Sequence, residues 1–241
     1  MSKNLTIIAA SDIKINETIK ALIKSTKYIK PYKTILFSSH LNSTNKKNLE
    51  TFNYIEHIKI KPLNSISDYS NFIIYELHKY INTSHILIVQ WDGYVINPAK
   101  WSDDFLNYDY VGAPFIPRFN NYSYARDKDN NFFVIGNGGF SLRSKKLLKA
   151  PTKFKLIDNK EITNSHEDGF FCILHRQFLE SKGFEWANFR IASRFSIESP
   201  INLNEILDFP FGFHGKKIIF FIKLIKLISN IKKFWSKKIS T

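Results

Sequence analysis

"SDYSNFIIYELHKYINTSHILIVQWDGYVINP", residues 67–98, decides the fold class. Through Ile81 the apolar residues recur at helical spacing. From His85 to Trp91 they form a short continuous run of strand length. A helix that feeds a buried strand is the repeating unit of an α/β sheet. The same alternation lies upstream. "LTIIAAS" (5–11) reads as a strand, "NETIKALIKSTKYIK" (16–30) as an amphipathic helix stopped by Pro31, and "KTILFSS" (33–39) and "YIEHIKI" (54–60) as further strands. The order predicts one α/β domain with a mixed, mostly parallel central sheet flanked by helices. Ligands of such sheets gather at the carboxyl ends of strands. Ser11, Asp12 and Asp92 each follow a strand directly and are candidates for a binding site.

Composition narrows the class. A chain of 241 residues with 44% hydrophobic content is long enough for one sizeable core. The single cysteine, Cys172, excludes an intramolecular disulfide, and the opening "MSKNLTIIAASDIK" lacks the apolar stretch of a secretory signal. A cytoplasmic setting is expected. Formal charge is +14, and more than half of that excess lies in residues 215–241, which hold eight lysines and no acid. On a helix, Lys216, Lys223, Lys226, Lys233 and Lys237 fall on one side, with Ile218, Phe221, Ile222, Ile225, Ile228 and Trp235 opposite. That is the pattern of a helix lying in a membrane interface, and a helix packed on the protein's own body is the alternative. Its longest apolar run, "IIFFI", falls far short of the roughly 20 residues needed to cross a bilayer. The expected organisation is a domain over 1–215 and a basic amphipathic helix over 216–241, peripheral on an anionic cytoplasmic membrane face.

Four further segments carry chemistry. Residues 117–131 are polar and read as a mobile loop beside a site. In "GNGGFSLRS" (136–144), Gly136, Gly138 and Gly139 permit conformations and close approaches that a Cβ would forbid, and a glycine-rich turn is at least as good a reading as a binding loop. Neither GxGxxG nor GxxxxGK[ST] fits it, which argues against a dinucleotide oxidoreductase or a P-loop kinase. In "NSHEDGFFC" (164–172), Ser165 and Asp168 have capping-box spacing, while Glu167 and Asp168 at a helix start also suit a proton acceptor facing a cleft. "FPFGFHG" sets His214 among aromatics and glycines, where a lone histidine is more often structural than a ligand. Trp91, Tyr94, Trp101 and Tyr110 suit either core or stacking on a sugar or base.

Together, "QWDGYVINPAKW", "YDYVGAPF", "GNGGFSLRS" and "HEDGFFC" resemble the signature segments of a glycosyltransferase-like domain family met in bacterial surface-polysaccharide gene clusters. The wider resemblance is to metal-dependent glycosyltransferases of the GT-A fold, over about residues 5–215. It implies a nucleotide-sugar donor, a glycan or lipid-linked acceptor, and an inverting transfer. In the Asp-x-Asp position stand Gln90, Trp91 and Asp92, so Asp92 alone is left to meet Mn²⁺ or Mg²⁺. His214 matches the second metal ligand, Lys216 and Lys217 the diphosphate contacts, and Ser11 and Asp12 the nucleoside region. Gly138, Gly139 and Arg143 fall to the donor side, with Arg143 steadying the diphosphate or orienting Asp168. Asp168 is the expected general base, with Glu167 beside it. Two alternatives remain. A sugar-phosphate nucleotidyltransferase would carry a glycine- and lysine-rich loop after the first strand, which "AASDIKINET" lacks. A basic nucleic-acid binder is allowed by charge, but no recognition motif supports it, and no nucleic-acid partner is expected.

Overall fold

The computed structural model describes residues 4–114, 129, 135–198 and 208–222. Its main sheet draws on β1 (Leu5–Ala10), β2 (Lys33–Ser38), β3 (Ile55–Lys59) and β4 (His85–Ile88), all parallel in the order β3-β2-β1-β4. β5 (Gly93–Val95) leaves this sheet. β6 (Tyr110–Val111) and β7 (Ser141–Ser144) extend it antiparallel, so that β7 pairs with β4 and β6 closes the edge. β8 (Ser196–Ile197) and β9 (Gly212–His214) join β5 in a small second sheet of order β5-β9-β8. The mixed, mostly parallel sheet agrees with the sequence order.

Side chains alternate across the two faces of the main sheet, as strand geometry requires. Leu5, Ile7, Ala9, Leu36, Leu87 and Val89 face α1 (Ile15–Ile29), where Ile15, Ile19, Leu22 and Ile29 meet them. Ile8, Ala10, Ile35, Phe37, Ile86 and Ile88 face the other way, toward Phe72, Ile73 and Leu77. Each Leu, Ile, Val or Phe among them, fully withdrawn from water, contributes about 1.5–3 kcal/mol. α1 ends at Lys30 in the left-handed region (φ 48°), and Pro31 prevents continuation.

α2 (Ser43–Thr51) has no counterpart in the sequence reading. It is polar except for Leu49, and is held by a reciprocal cap in which Asn42 and Asn45 exchange side-chain to backbone hydrogen bonds. α3 (Ile66–Asn71), capped by Ser65, continues through a π-helical turn (Phe72–Glu76) and a 3₁₀ turn (Leu77–Tyr80), filling the span predicted as one helix. α4 (Lys145–Phe154) runs on through Pro151 beyond the predicted "KKLLKA".

Residues 216–222 are helical, and Ile218 and Ile222 are buried with Ile197 and Phe213 in one apolar cluster. Residues 223–241, and the loop expected over 117–131 apart from Asp129, lie outside the described residues. Among the described residues no helix is long and apolar enough to cross a membrane.

Candidate functional site

β1 and β4 end side by side, and beyond their carboxyl ends opens a cavity of about 740 Å³. Ser11 and Asp12 line it from β1, Gln90 and Trp91 from β4, Tyr69 from α3, Asn137 and Gly139 from the glycine segment, and His166, Glu167, Asp168 and His214 from the far wall. The sheet thus brings together, around one space, residues as distant in sequence as Ser11 and His214. Position after a strand was the signal that found Ser11, Asp12 and Asp92.

Gly138 and Gly139 join two clusters of ionisable groups. A Cβ on Gly138 would lie 2.3 Å from Glu167 Oε1, and one on Gly139 would lie 2.1 Å from His214 Nε2. Two successive glycines therefore let a carboxylate and an imidazole press against one stretch of backbone.

On the first side, Asp168 accepts from the backbone N–H of Gly138 and of Gly169, both at 2.9 Å. Glu167 is buried, and its Oε2 lies 2.6 Å from the Arg143 guanidinium. Burial raises the Glu167 carboxyl, Arg143 pulls it back, and Asp168 pushes it up again, leaving it at about 7. Arg143 is fully buried under the wall, with Nε donating to Ser141 Oγ and its plane 4.9 Å from the Tyr110 ring. It does not line the cavity. The capping box also fails: Ser165 sits in the left-handed region (φ 61°), and His166 takes the N-cap position without a side-chain hydrogen bond. The helix start is held instead by the Asp168 contact to Gly138.

On the second side, Gln90 and Gly93 pair as a tight hairpin, with Trp91 and Asp92 at its tip. Asp92 Oδ1 lies 3.7 Å from His214 Nε2, and Gln90 Oε1 lies 3.3 Å from the same nitrogen. Asp92 is largely buried behind the wall that Gln90 and Trp91 form. The His214 Nδ1 is 3.1 Å from Glu198 Oε1 and 3.0 Å from Asn137 Nδ2. Burial lowers the His214 pKa, but the Glu198 hydrogen bond and the Asp92 and Asp168 charges outweigh it, so the net shift is upward.

Among the described residues no group of three or more His, Cys, Asp or Glu side chains is placed to hold a metal. The donor atoms beside His214 Nε2 are the Gln90 Oε1 amide oxygen at 3.3 Å and the Asp92 Oδ1 carboxylate oxygen at 3.7 Å. The mixed oxygen and nitrogen set fits a divalent transition ion such as Mn²⁺ that takes its remaining ligands from phosphate and water.

The other predicted residues fall in several places. Asp12 reaches the cavity, but its two oxygens accept from the backbone N–H of Ser39 (2.6 Å) and Leu63 (2.7 Å), so it ties loops together. Ser11 Oγ turns back to the Ile13 carbonyl. Lys216 and Lys217 are exposed at the start of the tail helix, with Lys216 Nζ 5.3 Å from the Trp91 ring. Lys14 Nζ, which the sequence did not single out, is 3.5 Å from the same ring. Trp101, Tyr94 and Tyr110 pack in aromatic clusters, and of the four aromatics only Trp91 lines the cavity. Sequence reasoning also passed over Tyr69, Gln90, Asn137 and Glu198. Asn137 and Gln90 sat inside quoted motifs. Glu198 gave no signal, because the β8 and β9 pairing alone brings it to His214.

The family model described as "Protein of unknown function (DUF5672)" matches residues 53–214. The chain belongs to the DUF5672 family. The DUF5672 match spans both clusters and stops at His214, leaving Ser11 and Asp12 outside it. No curated protein matches by sequence. Among solved structures, the chain is similar to an active-site mutant of LgtC (TM-score 0.53, 15% identity, 88% of this chain and 87% of that one). It is also similar to 4-diphosphocytidyl-2C-methyl-D-erythritol synthase from Anaerococcus prevotii (TM-score 0.50, 12% identity, 77% and 86%). The mannosyltransferase PcManGT from Pyrobaculum calidifontis, solved with GDP-Man and Mn²⁺, matches more loosely (TM-score 0.47, 9% identity, 77% and 54%). This DUF5672 chain has a GT-A, Rossmann-like fold.

Proposed function

We propose that the protein is a glycosyltransferase that moves a sugar from a nucleotide-sugar donor to a hydroxyl of a glycan or lipid-linked acceptor. The observation that carries the reading is the pair of clusters on Gly138 and Gly139. One holds a buried carboxylate with a pKa of about 7, and the other gathers Gln90, Asp92 and His214 beside it. Glycosyl transfer needs both: a base for the acceptor hydroxyl, and positive charge for the departing diphosphate.

Glu167 takes the role of general base. Asp168 spends both oxygens on backbone N–H groups, whereas Glu167 Oε1 lies against Gly138 at the cavity wall, with Arg143 gripping its other oxygen. The Glu167 carboxylate accepts the proton of the acceptor hydroxyl as that oxygen bonds to the anomeric carbon. The bond from that carbon to phosphate breaks, and the nucleoside diphosphate leaves. A single displacement of this kind inverts the configuration. Gln90, Asp92 and His214 would hold Mn²⁺ or Mg²⁺, which when bound supplies charge against the leaving diphosphate. Lys14 and Lys216, over Trp91 at the cavity edge, add positive charge on the same side. Such a reaction suits surface-polysaccharide assembly at the cytoplasmic face of a membrane.

Nucleotidyl transfer on the same sheet is the competing reading, and it has in its favour the likeness to the Anaerococcus synthase. The segment after β1, "SDIKINET", holds no glycine and one lysine, which disfavours it. Parallel incubations with Mn²⁺, one with a panel of nucleotide sugars and one with nucleoside triphosphates and sugar 1-phosphates, followed by ³¹P NMR, separate the two. Release of nucleoside diphosphate supports glycosyl transfer. Consumption of nucleoside triphosphate and sugar phosphate with release of pyrophosphate would overturn it.

A further inference from the structure

Exposed lysines of α1 and of the tail helix stand on neighbouring elements. α1 carries Lys20, Lys24 and Lys27 at spacings of four and three on its exposed side, and Glu17 is its single acid. α1 packs on β5, and Lys24 Nζ lies 4.2 Å from the ring of Tyr94 in that strand. On its other side Tyr94 belongs to the apolar cluster of Phe213, Ile218, Ile219 and Ile222, so a single strand separates the α1 lysines from the tail helix. There Lys216 and Lys217 are exposed and Phe220 is 65% exposed. Six more lysines and no acid follow in 223–241.

We infer that this face, built from the exposed side of α1 and the tail helix from Lys216 to Ile222, docks on an anionic lipid bilayer. Charge complementarity selects the partner. Exposed lysines on two neighbouring elements are accompanied by an exposed aromatic, Phe220, and anionic headgroups above an apolar layer satisfy both features. The face also has a direction. Lys216 reaches Trp91, which lines the cavity, so docking sets the cavity edge near the bilayer surface. This inference does not depend on the glycosyl-transfer reading.

The test is co-sedimentation of the full-length protein with vesicles of phosphatidylcholine alone and of phosphatidylcholine with phosphatidylglycerol. Sedimentation with the anionic vesicles at low salt, and not with the neutral ones, is expected. Lysines near an anionic surface act additively, so K20A/K24A should weaken partitioning by about tenfold or more, with loss of binding on adding salt. Both side chains are exposed and outside the cavity, so the variant should keep its melting temperature. F220S should weaken partitioning without changing the salt dependence. Wild-type protein that stays in the supernatant with anionic vesicles overturns the proposal. So does a folded K20A/K24A variant that sediments as the wild type does.

Discussion

In the proposed transfer, Glu167 is the residue on which the chemistry turns. A base must be ionised to work, so activity should rise with pH through about 7, where the buried carboxyl loses its proton. Glu167→Gln should keep donor affinity and lose transfer by about two orders of magnitude or more, with no pH-dependent limb left to measure. Arg143 favours the ionised carboxylate. In Arg143→Met, Glu167 should therefore hold its proton to higher pH, and the acid limb of the rate profile should move up. Breaking a buried pair on one side also costs about 3–5 kcal/mol, so the melting temperature falls as well. A pH profile that stays in place in a folded Arg143→Met enzyme would remove Arg143 from any role in setting Glu167. Gly139→Ala tests the other cluster. The added methyl meets His214 Nε2, so nucleotide affinity should drop while the Glu167 pH limb is kept.

At the scale of elements, the tail gives the clearest prediction. Ile218 and Ile222 are buried against Ile197 and Phe213. A chain ending at Lys217 should therefore lose about 3 kcal/mol or more of stability in denaturant titration, while one ending at Lys223 keeps these contacts. Equal stability of the two would place the tail outside the core. The elements also show what the sequence makes legible. β1, β2, β3, β4 and α1 could be read because their apolar periodicity follows from burial on one or two faces. α2 could not, since its cap is made of two asparagines and its exposed face shows no period. The second sheet could not either, because β8 and β9 are two and three residues long, too short to carry alternation. The same limit hid Glu198. The motifs drew attention to Glu167, Asp168 and His214, but the contacts of Arg143 with Glu167 and of the Gly138 amide with Asp168 have no local signature.

At the scale of the whole molecule, the parallel strands, the hairpin at Asp92 and the two glycines converge on one cavity, and its proposed occupant is a nucleoside diphosphate with a divalent cation. Ligands that bind only the folded state raise its stability in proportion to occupancy. The most direct measurement is a calorimetric titration of the protein with UDP, GDP, CDP, dTDP and ADP, each with and without Mn²⁺, repeated on Asp92→Asn. Saturable binding of at least one nucleoside diphosphate, strengthened by Mn²⁺ and weakened about tenfold or more in Asp92→Asn, is the predicted result. Absence of binding for every nucleotide in the presence of Mn²⁺, or equal Mn²⁺-dependent affinity in the folded Asp92→Asn variant, would contradict it.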